Sequence, residues 1–274
     1  MLVLMVMQIV LCFSIFNFSY LDYNSKLSLL DGDHIAILYC TVLFNLINNI
    51  SLAGIKELDI LKIGLVQTAY ANSSSTKYIK ENFGTRLEIS CVPTGVKHLD
   101  KKAKEYDIGI YFEANGHGTI LFNNSKLEPI LISLINKYKE RNELKIFLNF
   151  LQISNTLIGD AISNLLMIEA GLLFLGINLP QWNNFYVDLP SILDKMKVKN
   201  KSDFKTVFDE TKLIEPKAVQ DFINESIFQS KAIRSFDRPY GTEDYIRIYT
   251  EANTLEEAKK FNECLQKFIL ALNL

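Results

Sequence analysis

The sequence predicts an α/β protein: a mixed or parallel sheet domain with flanking helices, then a smaller α+β C-terminal domain, the first of these preceded by a separate N-terminal unit. Three observations predict it. From Leu61 onward, apolar runs of strand length alternate with stretches of helical period, the order that builds parallel sheets. Polar loops containing glycine follow those strands, and open sheets of this kind bind ligands beyond the carboxyl ends of their strands. Beyond Gly176 the alternation gives way to strands and helices in mixed order, as in an α+β domain. The divisions fall at 1–58, 59–180 and 181–274.

In chain order, Asp33 is placed to cap a helix running to about Asn48, and Ser51 to Asp59 reads as a connection. Leu61 to Val66 is the first regular strand, Ala71 to Ser75 a polar loop, and Thr76 to Phe83 a helix closed by Gly84. A second unit repeats the pattern: strand Arg86 to Val92, loop Pro93 to His98, helix Leu99 to Tyr106. Asp107 to Phe112 is the third strand, so three loops face one crevice. Ile130 to Tyr138 and Asp160 to Leu175 read as helices. The last domain has strands near Lys195 to Val198, Lys205 to Phe208, Ala232 to Phe236 and Tyr245 to Glu251, with helices after Pro216 and from Leu255 to Leu270.

With 274 residues, 49% of them apolar, the chain can bury a sizeable core. Its 29 Lys and Arg against 31 Asp and Glu leave no electrostatic footprint for nucleic acid or an anionic membrane, and neither partner is expected. Cys12, Cys40, Cys91 and Cys264 lack the close pairing of a zinc site, and a reducing cytoplasm fits them. The apolar run Met1 to Tyr20 has no Lys or Arg before it and no small-residue cleavage site after it. A secreted or membrane-associated protein is the alternative, should residues 1–20 act as a signal.

Three loops offer chemistry. Glu113-Ala114-Asn115-Gly116-His117-Gly118-Thr119 follows a buried strand. A carboxylate accepts from two adjacent sugar hydroxyls, an amide one residue away donates and accepts, and the glycines let the backbone turn sharply. A solvated polar turn is the plain alternative. Pro93-Thr94-Gly95-Val96-Lys97-His98 offers a hydroxyl, backbone amides and a cation at a helix entrance, where an anion is welcome; Lys97 as a mere surface charge is the simpler account. In Arg238-Pro239-Tyr240-Gly241-Thr242-Glu243-Asp244, followed by Arg247, two guanidinium groups, a hydroxyl and loop amides can surround a phosphate. Otherwise, Arg238 and Arg247 pair with Glu243, Asp244 or Glu251. His98 and His117 have no third partner at ligand spacing, and no metal is assigned to them.

Together and in order, Gln67-Thr68-Ala69-Tyr70-Ala71-Asn72, these three loops and Gly159-Asp160-Ala161-Ile162-Ser163 resemble the signatures of eukaryotic phosphoacetylglucosamine mutases, in the α-D-phosphohexomutase superfamily. The similarity runs from Leu29 to Leu274. It implies a four-domain, Mg²⁺-dependent enzyme that interconverts N-acetylglucosamine 6-phosphate and 1-phosphate on the route to UDP-N-acetylglucosamine, through a phosphoserine and a bisphosphate that turns end for end. By match, residues 1–58 are a partial remnant of its second α/β domain, and residues 59–180 are its sugar-binding third, with Thr94, Gly95, Glu113 and Asn115 on the sugar. Residues 181–274 are the phosphate-binding fourth, with Arg238, Tyr240, Gly241, Thr242 and Arg247 on the phosphate that is not reacting.

The departures are as informative. No Thr-Ala-Ser-His-Asn segment carrying the family's serine occurs in the chain, and neither does its metal loop, Asp-Gly-Asp-Ala-Asp-Arg. Asp31-Gly32-Asp33 is followed by His34-Ile35-Ala36 and matches a helix start downstream of that loop. The resemblance therefore implies Mg²⁺ for the intact enzyme, none bound by these residues, and a chain without mutase activity. Tyr240 stands where the family loop has Ser, which predicts weaker phosphate binding, because a phenol cannot put its oxygen where a serine hydroxyl sits. A codon choice typical of an AT-rich gene turns the family's metal loop, read one base out of frame, into Leu4 to Leu11; residues 1–28 are read as such a shifted segment.

Overall fold

The computed structural model describes residues 18–21, 27–154, 159–230 and 234–274; the expectations for Met1 to Asn17 and for the first residues of the Ala232 strand fall outside these. Contacts gather the chain into two compact units. One takes in the described residues up to Gln67, Ser75–Ser90 and Gly95–Val187; the other takes in Thr68–Ser74, Cys91–Thr94 and Asp188–Leu274.

In the first unit, β1 (Phe18–Leu21) and β2 (Leu27–Leu30) form an antiparallel pair. They lead into α1 (Gly32–Leu52), β3 (Ile63–Gln67), α2 (Ser73–Phe83), β4 (Leu87–Cys91), α3 (Val96–Ala103), β5 (Ile108–Phe112) and β6 (Gly118–Phe122). Helices α4 (Asn124–Lys137), α5 (Asn142–Ile153), α6 (Ala161–Leu175) and α7 (Leu179–Asn183) complete the unit. The sheet runs β4-β3-β5-β6. β3 and β5 are parallel, but β6 returns antiparallel on β5, Phe112 facing Gly118, so the sheet is mixed and not the all-parallel one that alternation alone suggests. The stretch that reads as one long loop after the third strand is thus a hairpin turn between two strands buried along their length.

Helix α1 buries most of its length in the core, from Ile35 to Ile50, and turns Asn45, Asn48 and Asn49 outward. It is long and apolar enough to cross a membrane, with mean hydropathy 1.7, yet 67% of that apolar window is buried inside the fold, which accounts for the composition. Its cap is Asp31, whose carboxylate accepts the His34 amide at 3.1 Å, and not Asp33 as the sequence suggests. Asp33 lies buried one turn further in and accepts the Ser75 hydroxyl at 3.0 Å. α1 shares its core with β3, β5, α5 and α6, so it belongs to the same unit as the segment that begins at residue 59.

The second unit holds β7 (Ser191–Lys197), β8 (Lys205–Thr206), β9 (Leu213–Glu215), α8 (Lys217–Ser230), β10 (Arg234–Tyr240), β11 (Tyr245–Glu251) and α9 (Leu255–Ala271). β10-β11-β7 is an antiparallel sheet, and β8 with β9 a small antiparallel pair. One face of the larger sheet carries Ile246, Ile248 and Met196 into a core with Val219, Ile223, Leu265 and Ile269 of the two helices. α9 begins with a capping box between Thr254 and Glu257. On the other face, Phe236 and Tyr249 pack with Ala69 and Tyr70.

Candidate functional site

The Glu113 motif is the β5–β6 turn. Glu113 N donates to His117 O at 2.9 Å, Gly116 N to Glu113 O at 2.8 Å, and Gly116 takes φ +84°, which a side chain would resist. Asn115 accepts the His117 amide at 2.9 Å and turns its own amide nitrogen to the Glu113 carboxylate at 3.5 Å. The other Glu113 oxygen accepts the Gly95 amide at 3.1 Å. Three of the four expected sugar-contacting residues, Gly95, Glu113 and Asn115, therefore meet within this unit.

The surrounding elements hold that turn. Gly32 N donates to Ala114 O at 3.3 Å, and Asn164 Nδ2 to Gly118 O at 2.9 Å. Asn164 also receives the Tyr39 hydroxyl at 3.1 Å. Asp160 caps α6 by accepting the Ser163 amide at 2.8 Å, so the Gly159-Asp160 signature fixes the helix that carries Asn164. Asp31 serves as the cap of α1, and Asp33 as the buried acceptor of the Ser75 hydroxyl.

In the second unit, Arg238 and Tyr240 lie in β10, not in the loop, and Gly241 and Thr242 form the exposed turn to β11. Arg238 stands directly opposite Arg247. The partners that the plain ion-pair reading proposes are taken elsewhere: Glu251 binds Arg234 at 2.8 Å and Glu243 lies 4.0 Å from Lys195. Arg238 donates from Nε to the Tyr70 hydroxyl at 2.8 Å and from Nη1 to Glu210 at 3.4 Å. The second Glu210 oxygen accepts the Thr94 amide at 3.0 Å and its hydroxyl at 2.6 Å, so one carboxylate ties Thr94, the fourth residue expected on the sugar, to Arg238, the first expected on the phosphate. Arg247 lays its guanidinium over the Tyr240 ring, 3.7 Å from the centroid, and forms no salt bridge among the described residues. Lys201 Nζ donates to Gly241 O at 2.7 Å and steadies the turn.

Sequence reasoning missed Tyr70 as a contact of Arg238, although it quoted the segment containing it. It missed Glu210 altogether. The only local mark of that residue is its backbone, at φ +60°, and φ is not visible in sequence.

Comparison with known proteins bears on the family. The protein-family model described as phosphoacetylglucosamine mutase AMG1, domain III, matches residues 31–176. The chain belongs to the phosphoacetylglucosamine mutase family. The Candida albicans phosphoacetylglucosamine mutase is 40% identical over 250 residues, 91% of this chain and 45% of the relative. The Homo sapiens enzyme is 41% identical over 240 residues, 87% and 43% respectively. The Aspergillus fumigatus N-acetylphosphoglucosamine mutase, solved in complex with GlcNAc-6P and magnesium, superposes with a TM-score of 0.82 at 38% identity, covering 94% of this chain and 47% of that one. The chain thus spans less than half the length of the phosphoacetylglucosamine mutases it matches. The domain III match begins at Asp31 and so takes in α1.

Proposed function

We propose that these residues are the sugar- and phosphate-recognition half of an enzyme interconverting N-acetylglucosamine 6-phosphate and 1-phosphate, in the cytoplasm, on the route to UDP-N-acetylglucosamine. The observation that carries the reading is the register placing Arg238 opposite Arg247 at the root of the Tyr240-Gly241-Thr242 turn. Two guanidinium groups held side by side suit a phosphate dianion. Family membership supports the ligand, since relatives are named for that phosphosugar. In this reading, Glu113 and Asn115 take sugar hydroxyls and Thr94 and Gly95 line the neighbouring loop. Arg238, Arg247 and the amides of Tyr240, Gly241 and Thr242 hold the phosphate remote from the reacting one. Binding remote from the reaction positions the reactive end.

The same reading makes the 274 residues by themselves a binding module without turnover: they contain neither the family's serine segment nor its aspartate loop. Mg²⁺ is the family's ion, and no residue here is assigned to it. The test is a titration of the chain with N-acetylglucosamine 6-phosphate alongside an assay for the 1-phosphate. Saturable binding without product is expected, and Tyr240→Ser should tighten binding by about threefold to tenfold, one added charge-assisted hydrogen bond offset in part by loss of the ring under Arg247. Product formation overturns the non-catalytic part of the reading; absence of binding overturns the recognition part.

A further inference from the structure

The cation pair at the phosphate loop is in fact a row of three. Arg238 pairs in register with Arg247, and Arg247 in turn with Lys195 of β7. Residues directly opposite one another in neighbouring strands share a face, with Cβ atoms about 5 Å apart. The next row along, Asp237, Ile248 and Asp194, faces the other way, toward the helices. Three cations therefore stand abreast on the face turned from the core, an arrangement that costs stability unless negative charge lies between them.

The chain supplies little of that charge. Arg238 has Glu210 at 3.4 Å, both groups mostly buried. Among the described residues, Lys195 has only Glu243, at the 4.0 Å limit of an ion pair and 73% exposed. Arg247 has none among the described residues. Aromatic rings hold the two weakly paired cations: Tyr240 lies 3.7 Å under Arg247, and Tyr245 lies 3.8 Å from Lys195. A ring face attracts a cation and orients it without neutralising it. The Arg247–Lys195 end of the row thus keeps most of its charge, and a dianion is the partner that would neutralise it.

We propose that Lys195 is a further binding residue of this site, adding the third positive charge that holds a phosphoryl group as its dianion. The proposal rests on the reading of the Arg238–Arg247 pair as a phosphate site and assigns to it a residue outside the motif. Lys195 lies in β7, more than forty positions before Arg238, and the sheet register alone brings it there. A merely solvated lysine is the competing account. It differs in outcome, because a solvated lysine can be neutralised without changing anion affinity.

The full 274-residue chain is titrated calorimetrically with N-acetylglucosamine 6-phosphate, and with inorganic phosphate as the simpler probe, at two salt concentrations. Arg247→Ala, Lys195→Ala, Lys195→Gln and Lys195→Arg are compared with the starting chain, each checked for an unchanged thermal midpoint. Lys195→Ala and Lys195→Gln should weaken binding of both probes by roughly threefold to tenfold, the range for one partly exposed ionic contact, with a shallower salt dependence. Lys195→Arg should restore it. If Arg247→Ala weakens binding while the neutral Lys195 variants match the starting chain, the role of Lys195 is overturned and the phosphate loop stands. If neither change alters affinity, the phosphate reading itself fails, and the inference with it. Lys195→Gln keeps most of the stem over Tyr245 and carries the test should Lys195→Ala fold poorly.

Discussion

Asp237 precedes Arg238 by one residue and faces the opposite side of the sheet, because strand side chains alternate. Both its oxygens are fully buried with no hydrogen-bond partner among the described residues, and burial pushes its carboxyl up to about 8. At neutral pH the group is therefore largely protonated when folded and ionised when unfolded. The folded state binds the extra proton, so this residue's contribution is most favourable below about pH 4, the unfolded value, and is lost as pH rises through the folded value of about 8. Asp237→Val should stabilise the chain by about 4 kcal/mol at pH 7, about three pH units of differential protonation at about 1.4 kcal/mol each. Its gain in melting temperature over the parent should be small near pH 4 and should grow to a plateau above pH 8. A gain that is flat with pH would show that the carboxyl does not titrate in this way. Glu210 is the contrasting case: an equally unadvertised acid whose two oxygens accept three donors and which holds an unfavourable backbone angle in doing so.

Helix α1 shows how an element far from a motif sets it. Gly32 is the first residue of the helix, and a Cβ there would run into the carbonyl of Glu113. Helix propensity alone favours alanine at such a position by up to about 1 kcal/mol. The collision is with backbone that cannot rotate away, so Gly32→Ala should instead destabilise the chain by about 1–3 kcal/mol. It should also weaken binding of N-acetylglucosamine 6-phosphate by displacing the Glu113 turn. Chemical denaturation and the titration above measure both. A stabilised variant with unchanged binding would mean that the turn does not depend on α1. The sequence showed the helix but not this duty. Its cap was misplaced by two residues because Asp31 and Asp33 are chemically alike, and only the buried Ser75 hydroxyl tells them apart. β6 was missed for a similar reason. Gly118-Thr119 reads as the tail of a polar turn, and what makes it strand is pairing with β5. Strands and helices with strong periods, such as β11 and α9, were legible within a residue or so, because their patterns need no distant partner.

Distant partners are what the second unit is built on. Two stretches from early in the chain, Thr68–Ser74 and Cys91–Thr94, cluster with Asp188–Leu274. Tyr70 supplies the hydroxyl that fixes Arg238, Ser73 N donates to Glu251 at 3.0 Å, and Ala71 O receives Arg234 at 2.7 Å. Asn72 closes the set, exchanging hydrogen bonds with Leu189 through both its side-chain atoms. Ala69 and Tyr70 also cover Phe236 and Tyr249. A fragment of residues 188–274 keeps every proposed phosphate contact in sequence and loses all of this support. Uncovering two aromatic side chains and leaving the buried Glu251 carboxylate short of a donor should cost it about 3 kcal/mol or more. With Tyr70 gone, Arg238 keeps, among the described residues, only Glu210, a partner that competes with a ligand for its charge. The fragment should therefore melt well below the intact chain and bind inorganic phosphate at least about tenfold more weakly. Melting curves and calorimetry on the two proteins decide it. Equal stability and affinity would make the Thr68–Ser74 segment a bystander, and would leave the order of the motifs along the chain without a physical reason.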